Sequence, residues 1–94
     1  MRARWAEGLD GPYDDVLRAA HRHSARHADE IRSSVLCGCF FCLAVFAPDE
    51  IAGWIADDGT ALCPRCGIDA VIGDLSGYPV GTAAFLRAMR DEWF

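Results

Sequence analysis

The chain contains no lysine, so all nine of its basic residues are arginine, and it has no excess of positive charge: 14 acidic residues leave a net charge of -5. Indiscriminate binding to phosphate backbones depends on clustered Lys and Arg, and this balance argues against it. No long hydrophobic run is present either. The longest, Val35 to Ala47, holds three cysteines and falls well short of the ~20 residues a membrane-spanning helix needs. The opening residues Met1 to Gly8 carry early arginines but no apolar stretch, which is not the pattern of a secretory signal. Five cysteines is an odd number, unlike a paired disulfide framework of an exported protein. These absences together point to a reducing cytoplasm and no membrane contact.

What is present is more specific. A length of 94 residues with 52% apolar content fits one globular domain without a second core. Cys39 and Cys42 are separated by two residues, Cys63 and Cys66 by two more, and 20 residues lie between the pairs. Each C-x-x-C turn can set two sulfurs about 2.3 Å from one ion, and four thiolates complete a tetrahedral zinc shell. Cys39, Cys42, Cys63 and Cys66 are therefore the expected ligands of one Zn2+ per chain. The two turns differ in sequence. Cys63-Pro64-Arg65-Cys66-Gly67 has a proline that presets φ and a glycine that permits positive φ. In the first turn Leu43 stands where Gly67 stands in the second, so inequivalent halves are expected. Cys37 is a third thiol beside the first pair, expected to be buried and structural.

Around the cysteines the pattern predicts an arm over 1–12, a helix over 13–33, a metal core over 35–74 and a C-terminal helical segment over 80–94. Within the first helix Val16, Leu17, Ala20, Ser24, Ala28 and Ile31 fall on one side. Asp14, Arg18, Arg22, Arg26 and Glu30 follow one another at four-residue steps, as an exposed ridge suited to solvation and pairing. His23 and His27 stand one turn apart. Packed, hydrogen-bonded roles are expected for them, since no H-E-x-x-H arrangement is formed and four cysteines already close a shell. Val35 to Phe46 predicts strand, turn, strand. Pro48-Asp49-Glu50, with Ile51, Trp54 and Ile55, predicts a short helix. Thr60 to Leu62 should be a strand, Ile68 to Gly73 a short helix, and Thr82 to Trp93 a capped helix with Phe85, Leu86, Met89 and Trp93 as its apolar stripe.

Three kinds of chemistry suit this pattern. A closed thiolate shell has no open position for substrate, which favours a structural site in a protein-interaction or regulatory module acting through a protein partner or as a homodimer. C-P-x-C-G also resembles half of a rubredoxin, in which four thiolates hold one iron for electron transfer. The arginine ridge offers a nucleic-acid-binding finger as a further alternative, weakened by the lack of interleaved aromatics. Catalysis is not expected: Asp29 takes the place of the glutamate in a deaminase H-x-E motif, and the proline lies inside the later cysteine pair. Asp69, Asp74 and Tyr78, close to the second knuckle, are the one candidate cluster beyond the cysteines, with turn and cap bonding as the simpler role.

The run Cys37-Gly38-Cys39-Phe40-Phe41-Cys42, then Pro48-Asp49-Glu50-Ile51 and Trp54-Ile55, then Thr60 to Asp69, resembles a group of small bacterial cytoplasmic proteins of uncharacterised activity. The likeness continues through Val71-Ile72-Gly73 and Ser76-Gly77-Tyr78-Pro79 to Trp93-Phe94. It implies a location and a bound metal but no activity. The implied fold class is α+β, a small zinc-ribbon-like or treble-clef-like metal core with short strands, packed by an N-terminal and a C-terminal helix. In a treble clef the second cysteine pair opens a helix, a role Ile68 to Gly73 would fill.

Overall fold

The computed structural model describes residues 13–94; the expected 1–12 arm, with Arg2 and Arg4, and the side chain of Asp14 lie outside the described residues. The fold is α+β, as expected: the described residues form three helices and five short strands around one core. Helix α1 spans Tyr13–His21. It buries Val16, Leu17 and Ala20, a spacing that lines one helix face. Arg18 points outward and pairs with Asp15 at 3.3 Å.

The single helix expected over 13–33 is not formed. After α1 the chain makes a 3-10 turn at Arg22–Ser24 and resumes helix only as α2, Ala28–Ser33. Ser24 begins the break locally, its hydroxyl donating to the His21 carbonyl at 2.6 Å, a side-chain bond that competes with the helix ladder. Tertiary bonds complete it. The Arg26 N–H donates to Thr60 Oγ1 at 2.9 Å, and the His27 N–H donates to the Gly59 carbonyl at 3.2 Å. In an unbroken helix those groups would bond four residues back. Arg26 takes φ +51° to make the turn, so the arginine ridge is not one straight face.

The main sheet has the order β2-β1-β5. Its centre, β1, is Cys37–Cys39, flanked by β2, Val45–Phe46, and β5, Val71–Gly73. Both pairings are antiparallel: Cys37 faces Phe46 and Gly73, Gly38 faces Val45 and Ile72, and Cys39 faces Val71. The helix expected at Ile68 to Gly73 is thus overturned, and with it the treble-clef helix after the second cysteine pair. Val71 and Ile72 are β-branched and fully buried, and the open edge of β1 offers them a ladder that no isolated helical turn could match. Gly38 sits where the chain passes closest: a Cβ there would collide with the Val80 carbonyl and press on Leu86.

The expected helix from Pro48 keeps only one 3-10 turn, Pro48–Glu50. Trp54–Ile55 instead forms β3, paired antiparallel with β4, Thr60–Ala61, as Trp54 opposite Ala61 and Ile55 opposite Thr60. The turn between them uses Gly59 at φ +68°. Arg32 of α2 lies 4.7 Å above the Trp54 ring. Helix α3, Ala83–Trp93, follows Thr82 in the N-cap position, although the Thr82 side chain makes no cap bond. Its Phe85, Leu86 and Met89 are 0% exposed, and burial of such side chains contributes roughly 1.5–3 kcal/mol each. Among the described residues, no helix is long and apolar enough to cross a membrane.

Candidate metal centre

Strand β1 ends at Cys39 and passes directly into the first cysteine turn. There the Leu43 N–H donates to the Cys39 carbonyl at 2.9 Å and the Cys39 N–H to the Ala44 carbonyl at 2.9 Å. The Phe41 N–H points at Cys39 Sγ, 3.4 Å away. The second turn repeats each bond: Gly67 N–H to the Cys63 carbonyl at 2.9 Å, Cys63 N–H to the Ile68 carbonyl at 3.0 Å, and Arg65 N–H to Cys63 Sγ at 3.3 Å. Leu43 has φ +67° and Gly67 φ +79°. The expected inequivalence of the two halves is therefore wrong at the level of backbone. Leucine accepts the left-handed conformation, at about 1–2 kcal/mol, because the three shared hydrogen bonds leave the chain no other exit from the turn.

The repeated turns bring four thiols to one point. Cys39, Cys42, Cys63 and Cys66 have their sulfurs within 4.8 Å of one another. Cys39 Sγ lies 3.7 Å from Cys66 Sγ, and Cys42 Sγ lies 3.7 Å from Cys63 Sγ. A tetrahedron with metal–sulfur bonds of about 2.3 Å has sulfur–sulfur edges of ~3.8 Å. The cluster could therefore hold a metal ion. Cys39 and Cys63 are buried, Cys66 is half-buried and Cys42 is exposed.

The electrostatics of the thiols are uneven. Burial pushes the Cys39 thiol far above its ordinary range, against the opposing pull of the Cys42 and Phe41 N–H groups. Burial also raises Cys66, partly offset by the Ile68 N–H. At Cys63 burial is outweighed by the N–H groups of Arg65 and Cys66 and by the neighbouring thiols of Cys42 and Cys66, so that thiol is lowered. Burial thus disfavours the charged form at Cys39 and Cys66, while the neighbouring N–H groups favour it at Cys63. A divalent cation bound there would supply the opposing charge, since coordinating thiols are deprotonated.

The remaining candidates fall outside the cluster. Cys37 lies within β1 at 0% exposure, and burial, reinforced by the Asp74 carboxylate, pushes its thiol up to about 11. His23 Nδ1 is 3.0 Å from the Glu30 carboxylate. His27 uses both ring nitrogens: Nδ1 faces the His23 carbonyl and Nε2 accepts the Ala61 N–H at 3.0 Å. It has no lone pair left for a metal. Asp74 accepts the Val35 N–H at 2.9 Å, and the Tyr78 ring lies 5.7 Å from that of His23 and 6.0 Å from that of Phe85. Among the described residues no hydrogen bond or ion pair joins Asp69, Asp74 and Tyr78. Arg22 and Arg26 line a pocket of about 460 Å³ together with Asp29, Glu30 and Asp58, a mixed surface rather than a basic one.

Two features near the site have no strong signature in sequence. Phe41, in the first turn, packs edge-on to Phe94 at 4.9 Å, and His21 at the end of α1 lies 3.9 Å from Trp93 at the end of α3. Phe40 sits between, 5.9 Å from each of His21 and Phe94. The ends of both helices thereby brace the first cysteine turn. Position 43 was visible as the counterpart of Gly67, but a leucine there carries no propensity signal for positive φ.

No family model matches this chain, and no curated protein or solved structure matches it. Fold and site therefore define it only as a small α+β chain with a four-cysteine cluster that could hold a metal ion.

Proposed function

We propose that this chain is a small zinc-binding protein in which one Zn2+, held by Cys39, Cys42, Cys63 and Cys66, pins the two cysteine turns together. The observation that carries this reading is the pair of 3.7 Å sulfur contacts inside a cluster no wider than 4.8 Å. Four thiolates fill a tetrahedral shell and leave no place for substrate, so the role assigned is structural and non-catalytic. The surface so held acts as a protein-interaction or regulatory module in the cytoplasm. Exposed Phe41 and Phe94 beside the first turn supply apolar area for a protein partner or a second copy. A contact with nucleic acid is disfavoured by the broken arginine ridge and the acids among its arginines.

Elemental analysis of the purified chain tests the metal. One zinc and a colourless solution support the proposal. One iron and a red solution replace it with the rubredoxin-like electron-transfer reading, which the matching backbone of the two turns favours as the second choice. Sedimentation of the metal-loaded protein separates a homodimer from a monomer that awaits another partner.

A further inference from the structure

We propose that Cys42 is an oxidation site, through which a peroxide converts the four-cysteine cluster into two disulfides that cross between the turns, Cys42–Cys63 and Cys39–Cys66. The inference rests on the metal reading above for its resting state. Three observations carry it. Cys42 is the exposed member of the four, whereas Cys39 and Cys63 are 0% and 4% exposed. The two 3.7 Å sulfur contacts both run between turns, and each joins a more accessible sulfur to a buried one. The N–H groups of Phe41 and Arg65 hold the buried sulfurs of Cys39 and Cys63 in place, so the approach belongs to the outer sulfurs.

The chemistry balances with hydrogen peroxide as oxidant. The Cys42 thiolate attacks one peroxide oxygen: an S–O bond forms, the O–O bond breaks, and the departing hydroxide takes a proton to become water. The Cys63 thiolate then attacks the Cys42 sulfenic acid; an S–S bond forms and the S–O bond breaks. The second hydroxide likewise takes a proton. Two thiolates give two electrons, one peroxide is reduced to two waters, and two protons are consumed. A second peroxide oxidises Cys66 with Cys39 in the same way. A contact of 3.7 Å needs to close to about 2.05 Å, a movement within reach of two outer turns.

The product has a defined character. With its thiolates gone the cluster no longer holds a cation, yet each disulfide ties one turn to the other where the ion did. Cys37, wholly buried in the central strand between Phe46 and Gly73, stays out of reach. The oxidised chain is therefore metal-free, folded and left with a single thiol.

The test uses the full chain. Metal is measured first, and hydrogen peroxide is then added in steps. Metal release is followed with a chromophoric chelator, free thiols by alkylation after denaturation, linkages by peptide mass spectrometry, and the fold by circular dichroism. Sulfenic acid is trapped with dimedone at substoichiometric peroxide. The expected result is dimedone on Cys42, a fall from five thiols to one, complete metal release, both cross-turn linkages and a retained spectrum, all reversed by dithiothreitol and zinc. The variant C37A should give the same map. Linkages within a turn, a disulfide to Cys37, first labelling at Cys66, or loss of the folded spectrum would each overturn the proposal. A chain that carries no metal as purified but forms the two cross-turn disulfides would refute the metal reading and leave this one standing. A metal-loaded chain with any other linkage map would do the reverse.

Discussion

His27 Nε2 accepts the backbone N–H of Ala61 at 3.0 Å, a bond between residues 34 positions apart that ties the start of α2 to β4. Its other nitrogen faces the His23 carbonyl, which makes the ring a neutral tautomer with Nδ1 protonated. A proton on Nε2 would point at the Ala61 N–H and break the bond. Burial accordingly lowers the pKa of His27, with the His23 carbonyl and the Glu30 and Asp58 carboxylates opposing in part.

That geometry predicts a pH dependence. The unfolded ring titrates near 6.5 and the folded ring below it, so the unfolded chain binds more protons in that window. The stabilisation is complete above about pH 6.5 and is lost as pH falls toward the folded value. His27→Gln keeps an acceptor for Ala61 without titrating, so denaturant unfolding between about pH 7.5 and 5.5 should show a flatter slope than in wild type. His27→Ala strands two buried groups and should cost roughly 1–3 kcal/mol for each at neutral pH. Equal slopes in wild type and His27→Gln would refute the role assigned to the ring.

Metal removal should unfold the chain. The sulfurs join turns that lie on opposite sides of a 20-residue insertion, and structural zinc sites contribute an apparent free energy of about 10–16 kcal/mol, comparable to the net stability of a typical domain. A strong chelator should abolish the circular dichroism signal of the folded state, and Cys63→Ser should purify without metal. A chelated chain with an unchanged spectrum would show that metal and fold are independent.

Cys37→Ala should keep one metal per chain. Its sulfur is buried in β1 beside the site and is not one of the four clustered thiols. Loss of packing there should cost about 1–2 kcal/mol, seen as a lower unfolding midpoint. Metal content reduced in this variant would reassign the ligands.

Two glycine substitutions should differ sharply. Gly67→Ala meets no atom within 4 Å, but its φ of +79° imposes about 1–2 kcal/mol of backbone strain. The Leu43 conformation shows that such strain is tolerated in this kind of turn. Gly38→Ala would drive a methyl into the Val80 carbonyl, backbone that cannot move without displacing α3. Thermal unfolding should therefore show a modest loss for the first and a failure to fold for the second. Similar losses for both would mean that the sheet and the loop before α3 are not in close contact.

The two cysteine turns were legible from spacing alone because a C-x-x-C turn is local: four residues and their own hydrogen bonds suffice to aim the sulfurs. The C-terminal helix was legible for the same reason, since Phe85, Leu86 and Met89 recur at helical period and are indeed buried. The break at residues 22–27 was not. Local periodicity there favours a continuous helix; the Ser24 hydroxyl loosens it, and Thr60, Gly59 and Ala61, more than thirty residues away, complete the break. Ile68, Val71 and Ile72 read as a short helix in sequence, and the free edge of β1 drew Val71 and Ile72 into a strand instead.

The sequence by itself determined the two C-x-x-C turns and the buried face of α3, because each follows from contacts within a few residues. Tertiary structure decided the rest. It gave His27 Nε2 the Ala61 N–H as its partner, split the first helix and made β5 a strand. In each case a backbone or ring group gained a hydrogen bond that its neighbours in sequence did not announce, and that gain outweighed the conformation those neighbours preferred.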